Sequence, residues 1–379
     1  MTRSGFYKND ILSSGFLDLT HAESLPPGIS FFELSGVRDV LPLAPNFLFG
    51  DIPAHLCREM FHKTSVHRIG YYSIERCHLT YDGIILRDGR KVMCQEMNVM
   101  PPHCQDVLAW ALPEEGPIPV RHLDGPCVLL YGPGWRTWGH WLSDFLPRIF
   151  SILCCGIDPS RLKWIVPRDL PDYALRLIRQ CGLDDAHLAP FDHREEILSI
   201  GALLCPVNLT AAPLVHPMFS GYCDWIKSRF STSGPQEKPD RRKIFISRTR
   251  VSSHRALLNR PEVESIAVDF GYDLIAPEHM PVEEQIRLFA TATHIAGEYG
   301  SGLHTSIFSP PHATITCLRG TLTSPGFLQT GLAAACHQRI GYVFGTMRPD
   351  LGHESYEVDP AFLRWGLGNA DIPSSSYQV

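Results

Sequence analysis

The sequence contains no unbroken apolar run of about 18 residues, the length a membrane-spanning helix needs. It also has no Cys-x-x-Cys pair, no Asp-x-Asp triplet and no Gly-x-Gly-x-x-Gly loop. Nothing at its start joins a positive segment to a long apolar core, so a secretory leader is not expected and the chain reads as cytoplasmic. Twelve cysteines are scattered from Cys57 to Cys336, and the only close pair, Cys154 and Cys155, is adjacent. That spacing suits neither a zinc ribbon nor a disulfide framework, and free thiols are expected. The sequon at Asn208, Leu209 and Thr210 should then be idle, because glycosylation needs the secretory route. A formal charge of -6 argues against a protein that coats nucleic acid. Without Asp-x-Asp, the carboxylate pair that would hold a divalent ion against a diphosphate is missing, and no metal site is predicted. Glu357-Val-Asp359 comes nearest and reads as a surface turn. The missing glycine fingerprint disfavours a dinucleotide-dependent oxidoreductase.

What is present is 379 residues, 44% of them hydrophobic, enough for two domains with their own cores. Residues 1–65 are rich in Pro and Gly and lack sustained periodicity. Residues 66–92 alternate polar and apolar around Asp82-Gly83 and Asp88-Gly89, which predicts a small antiparallel β-meander. From Cys127 onward short apolar runs alternate with amphipathic stretches, the pattern of an α/β protein with a mostly parallel sheet. The divisions expected are 1–125 (irregular and β-rich), 126–230 (a Rossmann-like domain), 231–241 (a polar, proline-containing linker), 242–345 (a second Rossmann-like domain) and 346–379 (a tail). In the second domain Asn259 with Glu262 three residues on signals a helix start, and Gly271 its end.

Three features can carry chemistry. The loop Gly297-Glu298-Tyr299-Gly300-Ser301-Gly302 lies between a predicted strand and helix, where free N–H groups favour an anion. Ser301, His304 and Thr305 at the helix start are either caps or ligand contacts. A basic stretch runs from Arg241 to Arg260, and Arg248 and Arg250 follow a strand's carboxyl end, where ligands of open α/β sheets bind. Their planar forks can grip phosphate, whereas Arg241 and Arg242 read as a solvated face. Finally, in Trp138-Gly-His-Trp-Leu-Ser-Asp-Phe-Leu-Pro-Arg148 a helix would set His140 and Asp144, four apart, on one face. That pair is either a structural contact or a general base with its orienting partner. Pro147 requires an irregular turn there.

The segment GHWLSDFLPRIF resembles the His-Trp-x-x-Asp/Glu-x-Leu-Pro-Arg motif of glycosyltransferase family 61. ISRTRVSSHRALLNRPEV and FGYDLIAPEHMPVEEQIRLFATATHIAGEYGSGLHTSIF are similar to its C-terminal block. The likeness runs from about His140 to Phe308 in order, and residues 1–125 show none. Tyr299 stands where many members carry His, and Thr305 where many carry Asn. The resemblance, to the bacterial capsule and lipopolysaccharide type, implies a GT-B fold of two facing Rossmann-like domains. It implies an inverting, metal-independent hexosyl- or pentosyltransferase without a cofactor. A nucleotide-sugar donor would bind the C-terminal domain, and a glycan or lipid-linked glycan would be the acceptor, which is compatible with peripheral membrane association. Asp144 is then the expected base, with His140 as its partner or as the base itself. Arg248, Arg250 and the loop at Gly300, Ser301 and Gly302 would hold the diphosphate. Glu298 and His304 would contact sugar or ribose, and Glu278 the ribose hydroxyls. The alternative is a catalytically silent nucleotide- or glycan-binding partner of a polysaccharide assembly system.

Overall fold

Asp82-Gly83 and Asp88-Gly89 take left-handed backbone, with φ of 58° and 78° and of 50° and 68°, the geometry tight hairpins require and glycine tolerates best. These turns fold Ile69–Leu79, Ile85–Arg87 and Arg90–Met93 into successive antiparallel strands. The computed structural model describes residues 6–20, 22, 24–97, 101–230, 242–248, 256–322, 326–351 and 354–370, with backbone alone for 101–105. Its contacts divide the chain into two units, one of residues up to 38 with His67–Leu209, the other of Asp39–Val66 with the chain from Thr210 onward.

In the first unit the described residues form one mixed sheet of nine strands. Its antiparallel half joins Ile69–Leu79 to Ile197–Pro206, which runs parallel to Val120–Leu129, followed by Lys163–Pro167 and Leu188–Phe191. Strands buried on both faces need unbroken apolar runs, and Cys127 to Leu129 and Trp164 to Val166 supply them, each buried. The helix Asp172–Gln180 closes one crossover and ends two residues ahead of Gly182, whose φ is 91°.

The second unit holds a six-stranded, wholly parallel sheet. In chain order its strands are Phe47–Phe49, Arg242–Ile246, Asp273–Ile275, Ala292–Glu298, Thr314–Arg319 and Arg339–Phe344. Counted from Arg242–Ile246 the spatial order is 2-1-3-4-5, with Phe47–Phe49 added beyond the fifth. This is a doubly wound arrangement, and the order reverses between Arg242–Ile246 and Ala292–Glu298.

Several expectations change. Residues 39–66, read as part of an N-terminal region, belong to the second unit because Phe47 and Phe49 extend its parallel sheet. Residues 210–230, assigned to the first Rossmann-like domain, also cluster there, as the helix Met218–Phe230 buries Phe219, Tyr222, Cys223 and Ile226. The expected tail contains a helix, Pro360–Asn369, with Asp359 accepting from the Ala361 N–H at 2.7 Å. Asp359 is thus an N-cap ahead of a first-turn proline, and Leu363 and Leu367 enter the core with Phe245, Val263 and Val343. The helix Arg260–Asp269 starts where Asn259 and Glu262 signal it, yet Asn259 does not cap it. Its amide instead bridges the Val358 backbone, donating to the carbonyl at 2.8 Å and accepting from the N–H at 3.1 Å. The linker 231–241 lies outside the described residues. Among the described residues no helix is long and apolar enough to cross a membrane.

Phe47 is buried against Gly341, where an added Cβ would fall 2.1 Å from its ring. Phe47→Ala should therefore lower the unfolding free energy by about 3 kcal/mol. Urea unfolding of the full chain measures it, and a loss under about 1 kcal/mol would detach residues 39–66 from this core.

Candidate active site

Pro147 lacks the N–H that an α-helix would direct at the carbonyl of residue 143, and its ring crowds that carbonyl. The chain answers with a wider turn. Trp138–His140 is a short α-helix, Trp141–Phe145 a single π turn, and Leu146–Cys154 resumes the α-helix. Such bulges cost local stability and recur where side chains must be aimed. Here the turn aims His140 at Asp144. His140 Nδ1 donates to Asp144 Oδ2 at 2.6 Å, and Ser143 Oγ donates to Oδ1 at 3.0 Å. Both carboxylate oxygens are engaged and Asp144 is buried, while the His140 side chain keeps 39% of its surface exposed. With Nδ1 as the donor, the neutral ring presents Nε2 as an acceptor. Burial pushes the His140 pKa down, but the hydrogen bond and negative charge of Asp144 outweigh it, and the net shift is upward.

The loop after Val120–Leu129 fixes this ring from the other side. Gly134, at φ 81°, lies so close that a Cβ there would be 2.6 Å from His140 Cδ2. The fully buried Trp141 holds the loop by donating from Nε1 to the Trp135 carbonyl at 2.6 Å. Arg148, one turn beyond Asp144, is buried. Its Nη1 donates to the carbonyls of Leu129 and Tyr131 at 3.1 and 3.0 Å, and its Nη2 to Asn208 Oδ1 at 3.4 Å. The sequon asparagine is thus a buried structural acceptor in the folded chain.

In the second unit the crevice at the strand-order reversal is where a doubly wound sheet binds ligands. Arg248 follows Arg242–Ile246 on one side of it, and Glu298 ends Ala292–Glu298 on the other. Arg248 Nη1 donates to the Tyr299 carbonyl at 3.2 Å and lies where a Cβ on Gly300 would meet it at 2.8 Å. Glycine at 300 therefore makes room for the guanidinium. Glu298 is buried and accepts from Arg260 Nε at 2.9 Å. Arg248, Glu298, Tyr299, Arg319, Glu354 and Tyr356 are among the residues lining one pocket. Burial pushes the Tyr299 hydroxyl up to about 12, so it remains a phenol.

The sequence-derived candidates divide accordingly. His140 and Asp144 are bonded to each other, and Arg248 and Glu298 share the pocket lining with Gly300 packed on the arginine. Ser301, Gly302, His304 and Glu278 lie outside that lining. The helix after the glycine loop has only four residues, Ser301–His304, before a 3₁₀ turn, Thr305–Phe308. It is too short to collect a substantial dipole. His304 and Thr305 do not cap it. His304 Nδ1 bonds Gln329 Oε1 at 2.8 Å, and Thr305 Oγ1 donates to Gln285 Oε1 at 3.4 Å. Glu278 sits in the turn Pro277–His279, whose first carbonyl accepts from Gln285 Nε2 at 2.9 Å. Arg250 lies outside the described residues. The sequence reading names Arg148 and Arg260 without giving either a role, and passes over Gly134 and Arg319. Arg319 stands at the carboxyl end of the strand Thr314–Arg319, the kind of position that singled out Arg248 and could have found it too.

The glycosyltransferase 61 family model matches residues 138–316. No curated protein matches the chain significantly. The matched stretch opens at the helix that carries His140 and reaches into the strand Thr314–Arg319 beside the pocket. The match spans a little under half of the chain, includes both His140 and Arg248, and supports a member of glycosyltransferase family 61.

Proposed function

We propose that this is an inverting, metal-independent enzyme of GT-B type that moves a hexosyl or pentosyl group from a nucleotide-sugar to a glycan or lipid-linked glycan, without a cofactor, in capsule-type polysaccharide synthesis. Cytoplasmic placement with peripheral membrane association belongs to the same proposal. The observation that carries it is the 2.6 Å His140–Asp144 hydrogen bond inside the family-matched stretch.

Inversion is a single displacement. The acceptor oxygen bonds to the anomeric carbon as the bond from that carbon to the diphosphate oxygen breaks, and the acceptor proton must go to a base. Asp144, which the sequence favours as that base, has both oxygens engaged and little exposure. His140 Nε2 is the better acceptor, and Asp144 orients the ring and stabilises the imidazolium that forms. The leaving nucleoside diphosphate carries the departing charge, and Arg248, with Arg250, offsets it. Glu298, Glu278, Ser301 and His304 enter this proposal as contacts or supports of donor sugar and ribose.

If His140 is the base, donor turnover should rise with pH along a limb whose midpoint lies above the ordinary histidine value of 6.5. His140→Asn should cut turnover by at least about a hundredfold. Asp144→Asn should cut it less and move the limb to lower pH, because the imidazolium loses its carboxylate. Steady-state kinetics with a panel of nucleotide sugars reads all three, and near wild-type turnover in His140→Asn would remove the histidine from the chemistry.

The donor side is tested at the two ends of one strand. Arg248→Lys keeps the charge but loses the fork, so it should bind donor and lose turnover, whereas Arg248→Ala should lose both. Arg242, exposed at the strand's amino end, should be replaceable by Ala without loss of either. Equal, small effects in calorimetry and kinetics would move the donor elsewhere. Activity should also persist in excess chelator, and complete loss reversed by magnesium would overturn metal independence.

A further inference from the structure

One buried cation of the first unit contacts no anion directly. Among the described residues, the acceptors of the Arg148 hydrogen bonds are the carbonyls of Leu129 and Tyr131 and the amide oxygen of Asn208, all uncharged, and Nε has no partner. Removing a guanidinium from water is costly unless an opposite charge compensates it. Neutral donors could serve two carbonyls at less cost, so the charge itself needs an account.

Asp144 supplies it. The two residues are four apart, across the turn where the π segment gives way to the α-helix, and so share a face. Burial pulls the Arg148 guanidinium down to about 10, and the charge of Asp144 is the largest influence in the opposite direction. The other titratable groups acting on Arg148 are the thiols of Cys205, on the strand Ile197–Pro206, and of Cys94, after Arg90–Met93. Asp144 is the carboxylate of that set, and it must remain ionised to accept from His140 and Ser143 together.

We propose that Arg148 is a positioning residue of the dyad, whose buried charge keeps Asp144 a carboxylate and so keeps the Nδ1–H of His140 directed at it. This rests on the His140-base reading for its catalytic meaning, but the electrostatic coupling can be measured without turnover. Arg148 also bonds the end of Val120–Leu129, from which the loop bearing Gly134 departs, so one side chain supports both Asp144 and the loop that packs against the imidazole.

The test is a ¹³C-carboxyl NMR titration of Asp144 in the full chain, with folding followed by circular dichroism. Arg148→Met should raise the Asp144 midpoint by about one unit, the scale of losing a nearby opposite charge, and Arg148→Lys by clearly less. Should Arg148→Met not fold, Asn208→Asp offers a second route. It places a carboxylate within reach of Arg148 Nη2, neutralises the charge without deleting it, and should raise the midpoint in the same direction. An unchanged midpoint in the folded neutralising variants would reduce Arg148 to a structural strap. A raised midpoint with undiminished turnover in His140→Asn would instead uphold the coupling and overturn the proposed base.

Discussion

The backbone that leaves a parallel strand carries carbonyl oxygens that the sheet cannot pair, and in both units a buried guanidinium takes some of them up. Arg148 does so after Val120–Leu129. In the second unit Arg319 donates to the carbonyls of Leu322 and Gly326 at 2.6 and 2.9 Å, with its plane packed against Phe327. A buried carbonyl left unpaired costs about 1–3 kcal/mol, so these arginines make it feasible to bring irregular backbone to a sheet edge. Ligands of α/β sheets bind at that edge. The same interaction that completes the fold therefore puts positive charge at the edge where ligands of such sheets bind.

The candidate acid–base pair follows from a second local constraint. Pro147 in the middle of an amphipathic segment cannot be accommodated by a regular helix, and the π turn Trp141–Phe145 absorbs the misfit. That turn carries both His140 and Asp144 toward one another while Trp141 and Phe145 fill the core. Structural and functional demands meet in one motif, with the large aromatics supplying the burial that makes the aimed polar pair stiff. The contact with Gly134 adds a steric limit, since no larger residue could leave the ring where Asp144 holds it.

Much of the architecture was legible because it rests on short-range rules. Strand–helix alternation from Cys127 marked the parallel elements, and Asp-Gly pairs marked the hairpins through their backbone preference. The i,i+4 spacing of His140 and Asp144 was enough to anticipate their contact. Placing Arg248 at a strand's carboxyl end likewise required only a strand boundary. Misreadings came where local signals compete with tertiary partners. Asn259 has the chemistry of a cap, yet Val358, 99 residues away, takes its amide. His304 and Thr305 have the positions of caps beside a glycine loop, yet their hydrogen bonds run to Gln329 and Gln285 on other helices.

By itself the sequence determined the α/β class, the hairpin turns, the helix carrying His140 and Asp144 and the strand preceding Arg248, since each depends on residues within a few positions of one another. Only the tertiary structure decided that Phe47 adds a strand to a sheet whose next member begins at Arg242, that Arg260 neutralises Glu298, and that Arg148 lies buried against carbonyls 17 and 19 residues earlier. The physical reason is that burial and charge compensation are properties of neighbours in space. A one-dimensional pattern states which residues could be paired, and packing selects which of them are.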